Sequence, residues 1–370
     1  MTNLEMFYFT GKCLTLEEHP EFREEIIEMA DSIDWEKFVA LCSNHLILPV
    51  IYLKFKSHDI LKYLPEELSG YLKEIYNLNL TRNNQILEQL REVNSILNIG
   101  NVYPVFLKGA GHLLDGLYSD TGERIMGDID FLVPEKDYLL SAKLLQNTGY
   151  LSDYPAYLDI ESMKHYPRLY KADVPADLEI HRIPVTDKYQ SWFNPELIGK
   201  EKKSVSTLDG CYVISDKHNI ILNFIHGQLH HGGHFYGIVS YRDLYDLYLL
   251  SKRSAVKETI PEIKTKQKAI AYFVFAGKAL GLNDTFYPKT NLSSWLFIKK
   301  HDLNLSSKAF YLTNRTVTYI TQRILIGHTN QIIKSFYSGK MRQSIVNRLL
   351  NRSWYIEHLK SYTSFFSPKK

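Results

Sequence analysis

The hydrophobic period changes near residue 102, and that change constrains the fold more than any other feature. Up to Gly100, apolar residues recur every three or four positions in "TLEEHPEFREEIIEMADSI", "WEKFVALCSNHLILPVIYLKF" and "SGYLKEIYNLNLTRNNQILEQLREVNSILNIG". That spacing predicts amphipathic helices across 15–100, with Gly100 as a stop. "VYPVFL" (102–107) is instead a short extended run, followed by the glycines and helical pattern of "GAGHLLDGLYSD". "DIDFLV" (128–133) predicts a second strand, after which Pro134 opens a helix that Gly149 closes. "YPRLYK" (166–171) and "DLEIHR" (177–182) are two further runs around the turn-rich "ADVPA", suited to a hairpin. From Asp216 the helical period returns. The expectation is an α+β protein in three parts: a helical region 1–100, a small mixed sheet with helices over 101–210, and a helical region 211–370.

Composition limits the classes open to such a chain. A length of 370 residues exceeds one ordinary core, and 45% hydrophobic with 23% charged residues is a soluble globular composition. No apolar run approaches the roughly 20 residues of a membrane-spanning helix. The start, "MTNLEMFYFTGKCLTLEEHPEF", lacks the basic-then-apolar order of a signal peptide. Cys13, Cys42 and Cys211 are odd in number and far apart, which fits neither a disulfide framework nor a metal cluster and points to a reducing cytoplasm. Charge is uneven: residues 291–370 hold thirteen Lys and Arg against Asp302 and Glu357, a net of +11, within a chain of net +3. Such a region either meets a phosphate-rich or anionic surface, or is a set of solvated helix faces.

The chemistry gathers around "GERIMGDIDFLVPEKDY" (122–138). Side chains alternate across a strand, so Asp128 and Asp130 share a face and Ile129 takes the other. Two adjacent carboxylates repel unless a cation lies between them, and hard divalent ions with oxygen ligands suit that position. Upstream, "LKGAG" (107–111) ends a strand and begins a helix, where glycine lets backbone N–H groups approach a phosphate and Lys108 adds charge. Downstream, "ADLEIHR" places Asp177, Glu179 and His181 on one strand face. A third carboxylate aimed at the first two can bind a metal or take the proton of an attacking hydroxyl. His181 is placed to orient that carboxylate or to contact the acceptor. Arg124, four residues before Asp128, is near enough to pair with a carboxylate or a phosphate.

Gly109 with a small residue after it, Asp128-Ile-Asp130 on a strand, and Leu178-Glu179-Ile180 together resemble the nucleotidyltransferase superfamily of polymerase-beta type. The fuller string "FLKGAG…LY…R…GDIDFLV…LEIHR", continued by "NIILNFIHGQLHH…YRDLYDLYLL", is similar to a bacterial branch of mostly uncharacterised nucleotidyltransferases. The resemblance covers roughly residues 100–250. It implies transfer of a nucleoside monophosphate from an NTP to an acceptor (a small molecule, sugar, peptide or protein) with release of pyrophosphate. It also implies that Asp128, Asp130 and Glu179 hold Mg²⁺ or Mn²⁺. Lys108, Gly109 and Ala110 would lie at the triphosphate, with Arg124 and His181 as further contacts. Gly109-Ala110 departs from the usual Gly-Ser or Gly-Gly, and the gap from Gly109 to Asp128 is longer than usual.

Other clusters carry two readings. "HGQLHHGGH" places His226, His230, His231 and His234 close together, as a packing cluster beside the site or as substrate contacts. Arg242, Asp243 and Asp246 in "YRDLYDLYLL" either face the cleft or form a solvated helix face. Two alternative functions compete with nucleotidyl transfer. One is a glycosyltransferase whose Asp-x-Asp holds a nucleotide sugar. The other is a nucleotide- or RNA-binding protein that uses its basic C-terminal region.

Overall fold

The structure, a computed structural model, describes residues 1–154, 159–356 and 360. Two compact units emerge, the first comprising 1–154 and 159–308 and the second running from residue 309 onward.

The first unit opens with α1 (Asn3–Cys13), which sequence periodicity did not single out. It is fixed by a reciprocal cap: Glu5 N–H donates to the Thr2 hydroxyl, and Thr2 N–H donates to the Glu5 carboxylate. The expected helices follow as α2 (Phe22–Met29), α3 (Trp35–Asn44), α4 (Leu48–Ser57) and α5 (Glu66–Ile99). Asp34 caps α3 by accepting the Lys37 N–H. Rings of Phe9, Trp35, Phe38 and Phe55 interlock edge to face or stacked between these helices. At 34 residues α5 is about 50 Å long. Gly100 ends it, as the sequence predicts.

A five-stranded mixed sheet comes next: β1 (Val105–Phe106), β2 (Asp128–Leu132), β3 (Asp177–His181), β4 (Lys203–Ser204) and β5 (Tyr212–Val213), in the order β3-β2-β1-β5-β4. The α+β class is as expected; β4 and β5 are two residues each, too short to carry a periodic signal. β1 runs antiparallel to β2 and parallel to β5, and β2 runs parallel to β3. Between them lie α6 (Lys108–Leu114) and α7 (Tyr138–Gln146), the latter entered through a short 3₁₀ turn after Pro134. The segment before β3 makes the expected antiparallel approach without becoming a regular strand. Isolated bridges join His165 to His181 and Leu169 to Leu178, while Tyr170 turns away to pair with Leu151.

Helices close the first unit: α8 (Pro195–Glu201), α9 (Asp216–Phe224), α10 (Gly233–Tyr236), α11 (Tyr241–Ser251), α12 (Lys266–Ala279) and α13 (Leu292–Ser306). α9 runs directly into a π-helical turn, Ile225–His230. The second unit contains α14 (Lys308–Tyr319), a π-helical stretch Ile320–His328, α15 (Thr329–Tyr337) and α16 (Gly339–Leu349). The end of the basic region, 357–359 and 361–370, lies outside the described residues. All three cysteines are buried and free. Among the described residues no helix is long and apolar enough to cross a membrane.

α5 does more than pack. Within its inward stripe, Asn79, Asn83 and Gln89 are buried beside Tyr76, Ile86 and Leu90. Buried amides require partners, and these find them in two loops. Asn79 donates to the carbonyls of Gly122 and Arg124, at 2.8 and 3.1 Å, and Asn83 donates to those of Thr121 and Arg124, at 2.5 and 2.9 Å. Arg82, half-buried, donates to Pro175 O at 2.9 Å, and Gln89 brackets Ala176, donating to its carbonyl at 2.7 Å and accepting its N–H at 3.2 Å. The long helix therefore sets the path of the chain into both β2 and β3.

Candidate active site

Parallel pairing fixes the register of the acidic strands. Asp128 lies opposite Asp177, Asp130 opposite Glu179, and Leu132 opposite His181. With side chains alternating along each strand, the carboxylates converge on one face. Asp130, only 2% exposed, is the innermost.

Three basic groups balance these acids. Lys108 Nζ lies 2.6 Å and His181 Nε2 2.7 Å from the same Asp130 Oδ1. Arg168 donates to Glu179 Oε1 at 2.8 Å and to Asp128 Oδ2 at 3.2 Å, and it stands 3.8 Å from Asp177. The charge states follow from these contacts. Burial alone would raise the Asp130 carboxyl, yet the Lys108 charge and the His181 bond hold it well below the usual carboxylate range. The His181 ring, 3.7 Å from Glu179 Oε2, and the Arg168 hydrogen bond overcome burial at Glu179 and bring it down to about 2. Asp128 is pushed up, by burial first and by its two acidic neighbours second.

The Lys108 ammonium reaches Asp130 because Leu107 N–H donates to Asp130 O at 2.9 Å, locking the end of β1 against β2. Lys108 itself has φ of +50°, a left-handed conformation that costs a non-glycine residue about 1 kcal/mol. Gly109 follows. A Cβ there would meet Arg124 Nη1 at 2.4 Å, so the glycine makes room for a guanidinium passing over it. The sequence expectation, in which the glycine lets backbone N–H groups approach a phosphate, does not include this arginine. Ala110 is buried in the core and is not on the cavity wall.

Arg124 leads away from the acids. Its Nε donates to both oxygens of Asp246 on α11, at 3.0 and 2.9 Å, and Tyr118 OH donates to Asp246 Oδ1 at 2.8 Å. Burial works against the Arg124 charge, but the Asp246 carboxylate more than restores it, and the guanidinium is held above its ordinary value. Asp243 and Asp246 thus turn inward, and the reading of a solvated helix face does not apply to them.

Lys108, Gly109, Arg124, Asp128, Asp130, Arg168, Glu179, Asp243 and Asp246 line a cavity of about 440 Å³, whose far wall is built from α9, the π turn and α11. The histidine cluster divides there. His226, His230 and His231 line the cavity, with His226 and His231 Nε2 atoms 3.1 Å apart. His234 stacks on Phe297, its centroid 5.4 Å away, and is not on the wall. Burial, aided by Lys108, brings His226 down to about 2, and burial with Lys164 brings His230 down to about 4, so both rings are neutral near pH 7. A π turn is frequent where a helix serves a functional site.

Sequence reasoning did not single out Lys164, His165 or Arg168, which also line the cavity. They lie on the irregular segment that crosses β3, and its broken period hides which side chains face the acids. Burial and Lys108 bring Lys164 down to about 8.

A divalent ion is testable against these residues. Among the described residues one group of three ligand-type side chains converges, Asp130, Glu179 and His181, with donor atoms within 4.8 Å of one another. Carboxylate oxygens fit Mg²⁺ or Mn²⁺, and an added imidazole nitrogen is more at home on Mn²⁺. The donor set fits such an ion, with Asp128 on the same strand face.

A small mixed sheet with acids on adjacent strands beside a glycine turn is the core of a nucleotidyltransferase. Comparison with protein families agrees: the uncharacterised nucleotidyltransferase family matches residues 31–288, and the chain belongs to it. None of the curated proteins matches this chain. The matched span takes in α5 and the sheet, and reaches past α12, well beyond the stretch that carries the sequence resemblance.

Proposed function

We propose that this protein transfers a nucleoside monophosphate from an NTP to a hydroxyl or phosphate acceptor, releasing pyrophosphate. The observation that carries this reading is the pairing of Asp130 with Glu179 across parallel strands, at the floor of a cavity ringed by cations. Asp130, Glu179 and Asp128 would hold Mg²⁺ or Mn²⁺, with His181 as a further ligand or as the group that orients Asp130. Such an ion, when bound, neutralises the triphosphate and activates the acceptor oxygen.

The chain's own residues have separate tasks. A carboxyl held at about 2, as at Glu179, is a good ligand and a poor proton acceptor. Lys108 and Arg168 now neutralise the acids, and phosphate oxygens are the natural partners for both once the acids bind a metal. Arg124 is already paired with Asp246, so its role is to hold the Gly109 turn. His226 and His230, brought down to about 2 and about 4, are equally poor proton acceptors; neutral, they face the same space as hydrogen-bonding partners for a substrate.

The test is pyrophosphate release with each NTP and Mg²⁺ or Mn²⁺, in the presence of cell extract as the acceptor source. Activity should vanish in Asp130→Asn while the thermal transition remains cooperative. Release of a nucleoside diphosphate from a nucleotide sugar, with no pyrophosphate, would replace this reading by glycosyl transfer.

A further inference from the structure

In α15, Ile332, Ile333, Phe336 and Tyr337 fall on one face of the helix and are 56, 50, 73 and 88% exposed. The opposite face carries Asn330, Gln331, Lys334 and Ser335. The same spacing recurs thirteen residues on in α16 and its C-cap residue, where Val346, Leu349 and Leu350 are 50, 54 and 81% exposed. Aliphatic and aromatic faces of this size are not left to water in a protein that works alone.

Charge says what covers them. Residues 309–370 hold ten Lys and Arg against Glu357 alone, a net of +9, whereas residues 1–308 carry −6. Helices that pair a large apolar face with a basic polar face settle at the boundary of an anionic bilayer, the apolar side in the acyl region and the cations at the headgroups. Each feature also argues against another partner. Nucleic acid would take the charge but offers little to four exposed aliphatic and aromatic side chains in a row. A second copy of the same unit would bring another +9 to the interface. Among the described residues no helix is long and apolar enough to cross a membrane, and attachment through these faces would be peripheral.

We propose that the C-terminal unit, residues 309–370, docks the protein on an anionic lipid surface through the apolar faces of α15 and α16. Nucleotidyl transfer is not assumed, and the test does not involve it. The full-length protein is floated with vesicles of phosphatidylcholine, alone or mixed with phosphatidylglycerol. Binding should require phosphatidylglycerol and weaken as salt rises. Ile333→Ser with Phe336→Ser should reduce binding at least about tenfold. Because both side chains are exposed, the thermal transition should stay where it is. Lys334→Gln with Arg352→Gln, which spares the apolar faces, should weaken binding to the mixed vesicles and remove part of its salt dependence.

Failure of the wild type to float with phosphatidylglycerol vesicles at low salt overturns the proposal. So does undiminished binding by the serine variant. Retention of single-stranded RNA in preference to vesicles would assign the charge to nucleic acid. A dimer in gel filtration that the serine variant dissolves would assign the apolar faces to a second copy.

Discussion

Arg124 and Asp246 stand 122 positions apart in the chain, yet Arg124 Nε lies 3.0 and 2.9 Å from the two carboxylate oxygens. The pair is buried and ties the loop before β2 to α11, the sheet side of the cavity to its helical wall. Removing one partner of a buried pair leaves an uncompensated charge, whereas removing both leaves none. Asp246→Ala should therefore destabilise the protein by about 3–5 kcal/mol. The double variant Arg124→Met/Asp246→Leu should recover much of that loss. Urea unfolding of the two variants measures it, and a double variant no more stable than the single one would remove the pair's structural role.

Gly109 is constrained by the same arginine. Alanine at this position would put its Cβ 2.4 Å from Arg124 Nη1, and overpacking of this kind costs about 1–3 kcal/mol. Gly70→Ala, in open space on α5, should instead gain up to about 1 kcal/mol from helix propensity. Opposite signs in parallel thermal melts are the expected result. A neutral Gly109→Ala would show that the turn yields.

Asn83 bonds two backbone carbonyls, Thr121 O and Arg124 O. Asn83→Leu keeps the volume but leaves Thr121 O without its Asn83 donor and Arg124 O with the Asn79 donor alone, at a cost of about 1–3 kcal/mol. Nucleotide binding should weaken along with stability, because the loop that carries Arg124 loses its tether. Calorimetry with a non-hydrolysable NTP at a temperature where the variant stays folded separates the two effects. Unchanged affinity would confine Asn83 to stability.

His45 makes stability depend on pH. Burial, with His301 adding to it, brings His45 down to about 4 from 6.5. Its Nδ1 accepts the Tyr241 N–H at 3.1 Å, which requires that nitrogen to be unprotonated. Between pH 6.5 and 4 the unfolded chain takes up a proton that the folded chain refuses, so stability falls as pH falls through that window and levels off below it. The His45 share of the slope is at most about 1.4 kcal/mol per pH unit. His45→Asn, which keeps an acceptor and removes this titration, should lessen the slope of the denaturation midpoint between those pH values by the His45 share. His226 and His230, lowered in the same direction, supply more of that slope. An unaltered slope would assign the dependence to other groups.

How legible the site was in the sequence depended on how local its causes were. Alternation along a single strand is enough to put Asp128 with Asp130 and Glu179 with His181, and the structure keeps each pair on one face. The strand partners of those acids are a matter of register, which no local pattern specifies. Arg124 shows the limit best: four residues from Asp128 it suggests a carboxylate or phosphate contact, and its partner turns out to be an acid on a distant helix. Arg168 and Lys164 were hidden by an irregular backbone. Asn79 and Asn83 did carry a signal, as amides at positions of the α5 stripe where the period demands apolar residues. Reading them as tethers requires knowing that something polar passes in front of that helix.

Most α5 contacts to the loops before β2 and β3 end on main-chain atoms, the carbonyls of Thr121, Gly122, Arg124, Pro175 and Ala176 and one N–H, with Tyr76 and Asn84 adding bonds to the Asp120 and Thr121 side chains. A helix that grips mainly backbone is largely indifferent to the side chains it holds. Residues of these loops can therefore be exchanged while the path of the chain stays put, and a relative could acquire a different substrate preference by rewriting the loops without rebuilding the scaffold.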